Sequence, residues 1–163
     1  MYAKHYITGE VIPDVLMKKL QDSRKFNQGF MTVEYLAAAI LDLKWHTLTT
    51  SDLQNPADFE KKAMDEIGLM DEILPRYKSG YFNHIFSGGY SAGYYAYIWA
   101  AVLDADAFQA FKETGDIFNQ EKAKLFREQV LSKGGTDDPM ILYKNFRGQE
   151  PNIDALLENR GLK

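Results

Sequence analysis

Val33-Glu34-Tyr35-Leu36-Ala37-Ala38-Ala39-Ile40-Leu41-Asp42-Leu43-Lys44-Trp45-His46 decides the fold class. Val33, Leu36, Ala37, Ile40 and Leu41 recur at steps of three and four, the period that places side chains on one face of an α-helix. No proline or glycine interrupts them, so a long helix is predicted through Trp45 and His46, opening after the turn Phe26-Asn27-Gln28-Gly29. Upstream, Pro13-Asp14 suits a first helical turn, and Val15, Leu16 and Leu20 continue a helix to about Ser23. Downstream, Asn55-Pro56 pairs a capping side chain with a proline whose missing N–H costs nothing at a helix start. That helix carries Phe59, Ala63 and Ile67 and is expected to end near Gly68. Pro75 and Lys78-Ser79-Gly80 belong to a loop. Further helices are predicted over 91–111, over 116–132, after Asp138-Pro139, and from Asn152 to Gly161. Nothing repeats with a period of 20–50 residues, which argues against a solenoid. The expectation is an all-α chain of six or seven helices, residues 1–163 forming a single helical unit.

Composition narrows the function classes. The 163 residues are 45% hydrophobic, 26% charged and 13% aromatic, ordinary values for a folded domain. The formal net charge of −4 is no footprint for a phosphate backbone or an anionic membrane surface, so neither nucleic acid nor membrane is expected as a partner. There are no cysteines, which excludes disulfides, thiol nucleophiles and thiolate metal sites. The N-terminal Met1-Tyr2-Ala3-Lys4-His5-Tyr6 lacks the apolar core of a signal peptide. The apolar part of the longest uncharged stretch, Tyr94 to Leu103, falls well short of the ~20 residues that cross a bilayer. A soluble protein is expected, placed in the cytoplasm, with the periplasm as the alternative.

The segment richest in chemistry is Tyr81-Phe82-Asn83-His84-Ile85-Phe86-Ser87-Gly88-Gly89-Tyr90-Ser91-Ala92-Gly93-Tyr94-Tyr95-Ala96-Tyr97-Ile98-Trp99. Ser87-Gly88-Gly89 is a turn whose backbone can approach a ligand, since glycine lacks Cβ. If a helix begins near Tyr90, then Tyr90, Tyr94 and Tyr97 lie on one face, and His84 precedes them. An aromatic core stripe is the plain reading. Against it, each buried phenol needs a hydrogen-bond partner, and Phe82 and Phe86 show that phenylalanine is used freely nearby. Three hydroxyls in line suit a wet groove; neutral phenols are donors at pH 7, able to stabilise an oxyanion. The other histidines carry less: His46 reads as structural, and no HExxH is present. No GxxxxGK[ST] or GxGxxG follows a strand, which leaves nucleotide binding without a motif. Asp65, Glu66, Asp71 and Glu72 read as a solvated surface, and Asp104 and Asp106 face different ways on their helix.

These residues also carry a resemblance. Phe26-Asn27-Gln28-Gly29-Phe30, Glu34-Tyr35-Leu36-Ala37-Ala38, Leu41-Asp42 and Trp45-His46 resemble the C-terminal part of thimet-type zinc oligopeptidases. His84 through Gly88-Gly89-Tyr90, Ala92-Gly93-Tyr94-Tyr95, Tyr97 and Trp99 resemble them more closely still. Ser132-Lys133-Gly134-Gly135, Phe146-Arg147-Gly148-Gln149-Glu150-Pro151 and Arg160-Gly161-Leu162 continue the likeness, which covers essentially the whole chain. The Phe-Ser-Gly-Gly-Tyr form of the loop is most similar to the peptidyl-dipeptidase (dipeptidyl carboxypeptidase) branch.

The resemblance implies the C-terminal subdomain of a zincin-type helical metallopeptidase that cuts short peptides and releases C-terminal dipeptides. In such enzymes two histidines of HExxH and a distant glutamate hold zinc. That motif lies upstream of the segment present here, so zinc is implied for the full-length enzyme and none is expected on this chain. Tyr97 matches the tyrosine that donates to the oxyanion, and Tyr90 the one after the glycine loop. His84 and Tyr94 match substrate-side residues, and Gly88 and Gly89 a loop that lets the tyrosines close on the peptide. The implied partners are short peptides and the upstream part of the enzyme, with self-association expected where that part is missing. A non-catalytic helical module binding peptides or a partner is the competing class.

Overall fold

The long helix predicted first organises one half of the molecule. In a computed structural model describing residues 3–163, it runs as α2 (Gln28–His46) after α1 (Asp14–Ser23). Its buried side chains are Ala37, Ala38, Ala39, Leu41 and Asp42. Three alanines in a row let neighbours approach the α2 backbone on two sides. On one side Ala37 and Leu41 pack against Ala63 and Met64 of α3 (Pro56–Glu66), sealed by Trp45, Phe59 and Leu69. On the other, Ala38 and Ala39 receive Phe82, Ile85 and Tyr94 from the segment that contains the one-turn helix α4 (Asn83–Phe86). Helix α1, although its apolar spacing is regular, buries none of its residues.

The other half is built on α5 (Ala96–Lys112). Val102 and Ala105 pack against Ala155 and Leu156 of α8 (Asp154–Arg160). Ala110 meets Tyr143 and Phe146 of α7 (Pro139–Arg147), with Phe111, Phe126 and Val130 filling in around them. Phe126 ends α6 (Gln120–Phe126), which widens into one π turn over Arg127–Leu131. Fully burying a side chain such as Phe146 stabilises by roughly 1.5–3 kcal/mol. Across α5 and α7 runs a polar clamp. Asp106, 2% exposed, accepts hydrogen bonds from the Tyr143 hydroxyl at 2.6 Å and from Arg147 Nε at 3.1 Å. Arg147 reaches on to Glu113 with two more contacts of 2.8 Å.

Among the described residues there are eight α-helices and no strand, only a single antiparallel bridge between Lys4 and Val11. The fold is all-α, as the punctuation predicts. The asparagine and aspartate caps act as expected: Asn55 Oδ1 accepts from Ala57 N and Asp58 N, and Asp138 Oδ1 from Met140 N and Ile141 N. Eight helices stand where six or seven are expected, because the one-turn α4 is too short to show a helical period, and α2 already opens at Gln28, inside the expected turn. Two further helix starts differ. The helix expected over 91–111 begins only at Ala96, because Ala92 sits at φ 56°, a left-handed conformation that no right-handed helix can run through. The helix expected from Asp116 begins at Gln120. Asp116 instead closes a turn by accepting from Phe118 N, and Asn119 caps the helix through Lys122 N. No helix among the described residues is long and apolar enough to cross a membrane.

Candidate active site

The site forms where the α4–α5 connection crosses α2. The one turn of α4 carries His84, and Ser87-Gly88-Gly89 then folds back on it. Glycine is required at Gly88, because a Cβ there would lie 2.8 Å from the His84 carbonyl oxygen. Gly89 has φ +82°, which side-chain-bearing residues rarely adopt. Ser91 Oγ donates to Ile85 O at 2.6 Å and ties the end of this loop to α4. The chain then turns through 91–95 before α5 begins.

This turn, and not a helical face, brings the expected residues together. The rings of Tyr90 and Tyr97 stack with centroids 5.3 Å apart, and Tyr97 meets Tyr94 edge-on at 5.3 Å. His84 lies 6.2 Å from Tyr90 and 6.1 Å from Tyr94. The tyrosines differ in burial. Tyr94 is 4% exposed and packs in the core with Phe82, whereas Tyr90 and Tyr97 are 37% and 43% exposed. The core-stripe reading therefore describes Tyr94, whereas the Tyr90 and Tyr97 rings are open to solvent. Burial pushes the Tyr94 phenol up to about 12. The Tyr90 hydroxyl beside Tyr97 raises the Tyr97 phenol above its ordinary value. Both stay protonated at neutral pH, and a protonated phenol is a hydrogen-bond donor.

Next to the rings lies a cavity of about 300 Å³ lined by Tyr35, Arg76, His84, Tyr94, Tyr97 and Arg160, among others. Sequence reasoning did not single out Arg76 or Arg160 as site residues; they come from a loop and from the last helix, far apart along the chain. A larger groove of about 660 Å³ lies between α3 and the 69–81 segment and contains none of the expected site residues.

Two α2 side chains hold the turn. Asp42, wholly buried, accepts from Ala92 N and Tyr94 N, each at 2.9 Å, one on each carboxylate oxygen. The Tyr35 hydroxyl donates to Tyr94 O at 2.6 Å and accepts from Ile98 N at 3.2 Å. His46 Nδ1 stands 2.8 Å from Asp42 Oδ1. A sequence pattern could not reveal these bonds, since the partners are backbone atoms some 50 to 63 residues away.

The residues here do not make a metal centre. Among the described residues no three His, Asp or Glu side chains converge to hold an ion. His46 faces Asp42, and His84 faces tyrosine rings.

The amino-acid sequence is similar to known proteins along its length. The profile of peptidase family M3 matches residues 1–162. The dipeptidyl carboxypeptidase of Escherichia coli (strain K12) is 43% identical over 163 residues, which cover 99% of this chain and 24% of that protein. Oligopeptidase A of the same organism is 40% identical, covering 98% and 23%. Saccharolysin of Saccharomyces cerevisiae (strain ATCC 204508 / S288c) is 36% identical, covering 99% and 23%. The chain thus spans about a quarter of the length of these curated relatives. A likeness that runs from residue 1 to residue 162 is no local coincidence of motifs, and the chain belongs to peptidase family M3.

Proposed function

We propose that residues 1–163 form the C-terminal portion of the catalytic domain of a zinc-dependent peptidyl-dipeptidase, which hydrolyses short peptides and releases their C-terminal dipeptides. The observation that carries this reading is the stacked, accessible Tyr90–Tyr97 pair beside His84 and the buried Tyr94. As a peptide carbonyl becomes tetrahedral its oxygen gains negative charge. Hydrogen-bond donors already in place stabilise that charge without reorganising, an effect worth ~10²–10³ in rate per donor. Tyr97 is the principal donor, with Tyr90 assisting. His84 and Tyr94 line the substrate side, and the Gly88-Gly89 loop sets how closely the tyrosines approach the peptide. Arg76 and Arg160 give the adjoining cavity a positive charge suited to a peptide carboxylate.

Family membership implies zinc, but the described residues do not fit it, so the ligands are assigned to a part of the enzyme outside this chain. That part would cover exposed apolar side chains of α2, Val33 and Leu36 among them, and without it the chain would self-associate. The cytoplasm is the proposed compartment, with the periplasm as the alternative.

The deciding experiment supplies an HExxH-bearing N-terminal part from the same family, fused or as a separate polypeptide, and follows N-blocked tetrapeptides by mass spectrometry. Release of intact C-terminal dipeptides, abolished by C-terminal amidation of the peptide, is expected. Cleavage indifferent to amidation would make the enzyme an endo-acting oligopeptidase. No cleavage, with peptide still bound, would favour the non-catalytic binding module. The chain alone should cleave nothing and hold no stoichiometric zinc; about one tightly held zinc per molecule on metal analysis would contradict the assignment of ligands.

A further inference from the structure

The most unusual expenditure of polarity in the molecule is on the turn before α5. A carboxylate withdrawn completely from water needs partners for both oxygens, or it destabilises the fold. Among the described residues Asp42 has no guanidinium or ammonium partner. Its oxygens accept instead from two backbone amides, Ala92 N and Tyr94 N, and one of them also lies 2.8 Å from the partly exposed His46 ring. Seven residues earlier on α2, two turns along the same face, Tyr35 bridges Tyr94 O and Ile98 N. Four backbone atoms between residues 92 and 98 are therefore fixed by two side chains of one rigid helix. The stretch they fix is irregular. Ala92 is one of two non-glycine residues with positive φ among those described, and such backbone persists only where surrounding contacts over-determine it. The two exposed phenols belong to this region, Tyr90 just before the fixed stretch and Tyr97 within it.

We propose that Asp42, assisted by Tyr35, is a positioning residue for Tyr90 and Tyr97: the two α2 side chains clamp the 92–98 backbone and so set the separation and aim of the paired phenols. The catalytic consequence rests on the peptidase function proposed above; the clamp itself rests on the geometry alone. Asp42 touches no substrate atom in this account. It acts through the backbone, holding the turn in the left-handed conformation that stacks Tyr90 on Tyr97 in place of the continuous helix that the sequence pattern suggests.

The test uses the 163-residue chain with ¹³C-labelled tyrosine rings and amide exchange read by NMR. Asp42→Asn keeps the shape of the side chain but replaces one acceptor oxygen with an amide that cannot accept, so only one of the two N–H groups stays satisfied. Exchange at whichever of the Ala92 and Tyr94 amides faces the new NH₂ should quicken by about tenfold, the usual scale for loss of a hydrogen bond to a charged acceptor, and at the other by less. Tyr143 and Phe146 amides should keep their rates. The Tyr97 ring should titrate nearer its ordinary value, because the Tyr90 hydroxyl that raises it moves away. Adding Ala92→Gly should return about fivefold of the lost protection, since glycine adopts positive φ without the penalty other residues carry. Unchanged exchange at Ala92 and Tyr94, or a uniform increase across all helices, would overturn the clamp. So would faster exchange with an unmoved Tyr97 titration. Should Asp42→Asn fail to fold, Tyr35→Phe carries the same test at the Ile98 amide, which should exchange faster while Tyr143 and Phe146 keep their rates. In the zinc-bearing enzyme, Asp42→Asn should lower kcat with KM nearly unchanged. An inactive wild-type enzyme would count against the peptidase reading, and amide exchange at Ala92 and Tyr94 would still decide the clamp.

Discussion

Two buried aspartates, one in each half of the molecule, use the same charge in opposite ways. Asp106 spends it on side chains: Arg147 and Tyr143 bridge α5 to α7, with Glu113 beyond. Asp42 spends it on the backbone of a turn. The first arrangement joins two regular helices that also share an apolar contact through Ala110, Tyr143 and Phe146. It contributes to holding elements together. The second joins a regular helix to an irregular segment whose neighbours are exposed phenols, and it contributes to shape. Losing the first should cost stability, whereas losing the second should cost geometry. The variants that follow test that division.

Arg147→Ala should have the largest effect. The Arg147 side chain is 7% exposed and that of Asp106 2%, so removing the guanidinium leaves a carboxylate buried without its cation. Breaking such a pair by deleting one partner typically costs about 3–5 kcal/mol. Urea denaturation should show a loss on this scale, while the exchange rates of the 92–98 amides, measured under fully folded conditions, stay as in the wild type. A loss below about 1 kcal/mol, the level of a surface pair, would remove the contrast between the halves.

Tyr97→Phe should lie next and act on the other axis. In the zinc-bearing enzyme turnover should fall by ~10²–10³ with a small change in KM, the signature of a donor used mainly in the transition state. Tyr94→Phe should cost less turnover, because that ring is core. The thermal midpoint of Tyr97→Phe should hardly move, since the side chain is 43% exposed. A raised KM with unchanged kcat would recast Tyr97 as a binding residue.

Alkaline titration touches both halves. Unfolded, a tyrosine ionises near 10; folded, Tyr94 does so at about 12 because burial disfavours the phenolate. Below pH 10 both states hold the proton and this residue makes stability independent of pH. Between 10 and about 12 the unfolded state releases its proton while the folded state keeps it, so stability falls as pH rises. Tyr35, raised by burial, and Tyr143, raised by burial and the Asp106 carboxylate, push in the same direction. Denaturation midpoints from pH 8 to 12 should decline, and Tyr94→Phe should flatten that decline. A flat profile in the wild type would mean that the fold raises none of these three phenols.

The same contrast explains what could be foreseen from the chain. Helices were legible where the signal is local: apolar spacing in α2, Asn55-Pro56 before α3, Asp138-Pro139 before α7. The tyrosine segment was legible in content but not in form. Aromatic residues at helical spacing over 90–97 suggested a helix, yet the spacing carries no information on Ala92 φ, and the acceptor that holds the turn sits 50 residues upstream of it. Tyr90, Tyr94 and Tyr97 converge all the same, because a compact turn followed by helix brings such spacings together nearly as well as a helix does. The spacing of Asp104 and Asp106 sets the two carboxylates apart but reveals no partner for Asp106, since Arg147 lies 41 residues away. In both halves the apolar pattern was visible, and the long-range polar bonds that refine it were not.

Ala92→Gly alone, without any change at Asp42, should have the smallest effect and sharpens the comparison most. A side-chain-bearing residue in the left-handed region carries a penalty of roughly 1–2 kcal/mol, against which glycine loses about 0.5–1 kcal/mol through greater freedom in the unfolded chain. A net stabilisation of about 0–1.5 kcal/mol is therefore expected. Turnover should drift down slightly, as a looser turn samples more separations of Tyr90 and Tyr97. The equivalent change on the other side, Ala105→Gly in the middle of α5, should destabilise by roughly 0.5–1 kcal/mol or more, because the residue is helical and buried. Opposite signs for the two alanine-to-glycine changes would separate a turn held in shape from a helix held in place. If Ala92→Gly destabilises as Ala105→Gly does, the turn carries no strain and the two aspartates perform the same task.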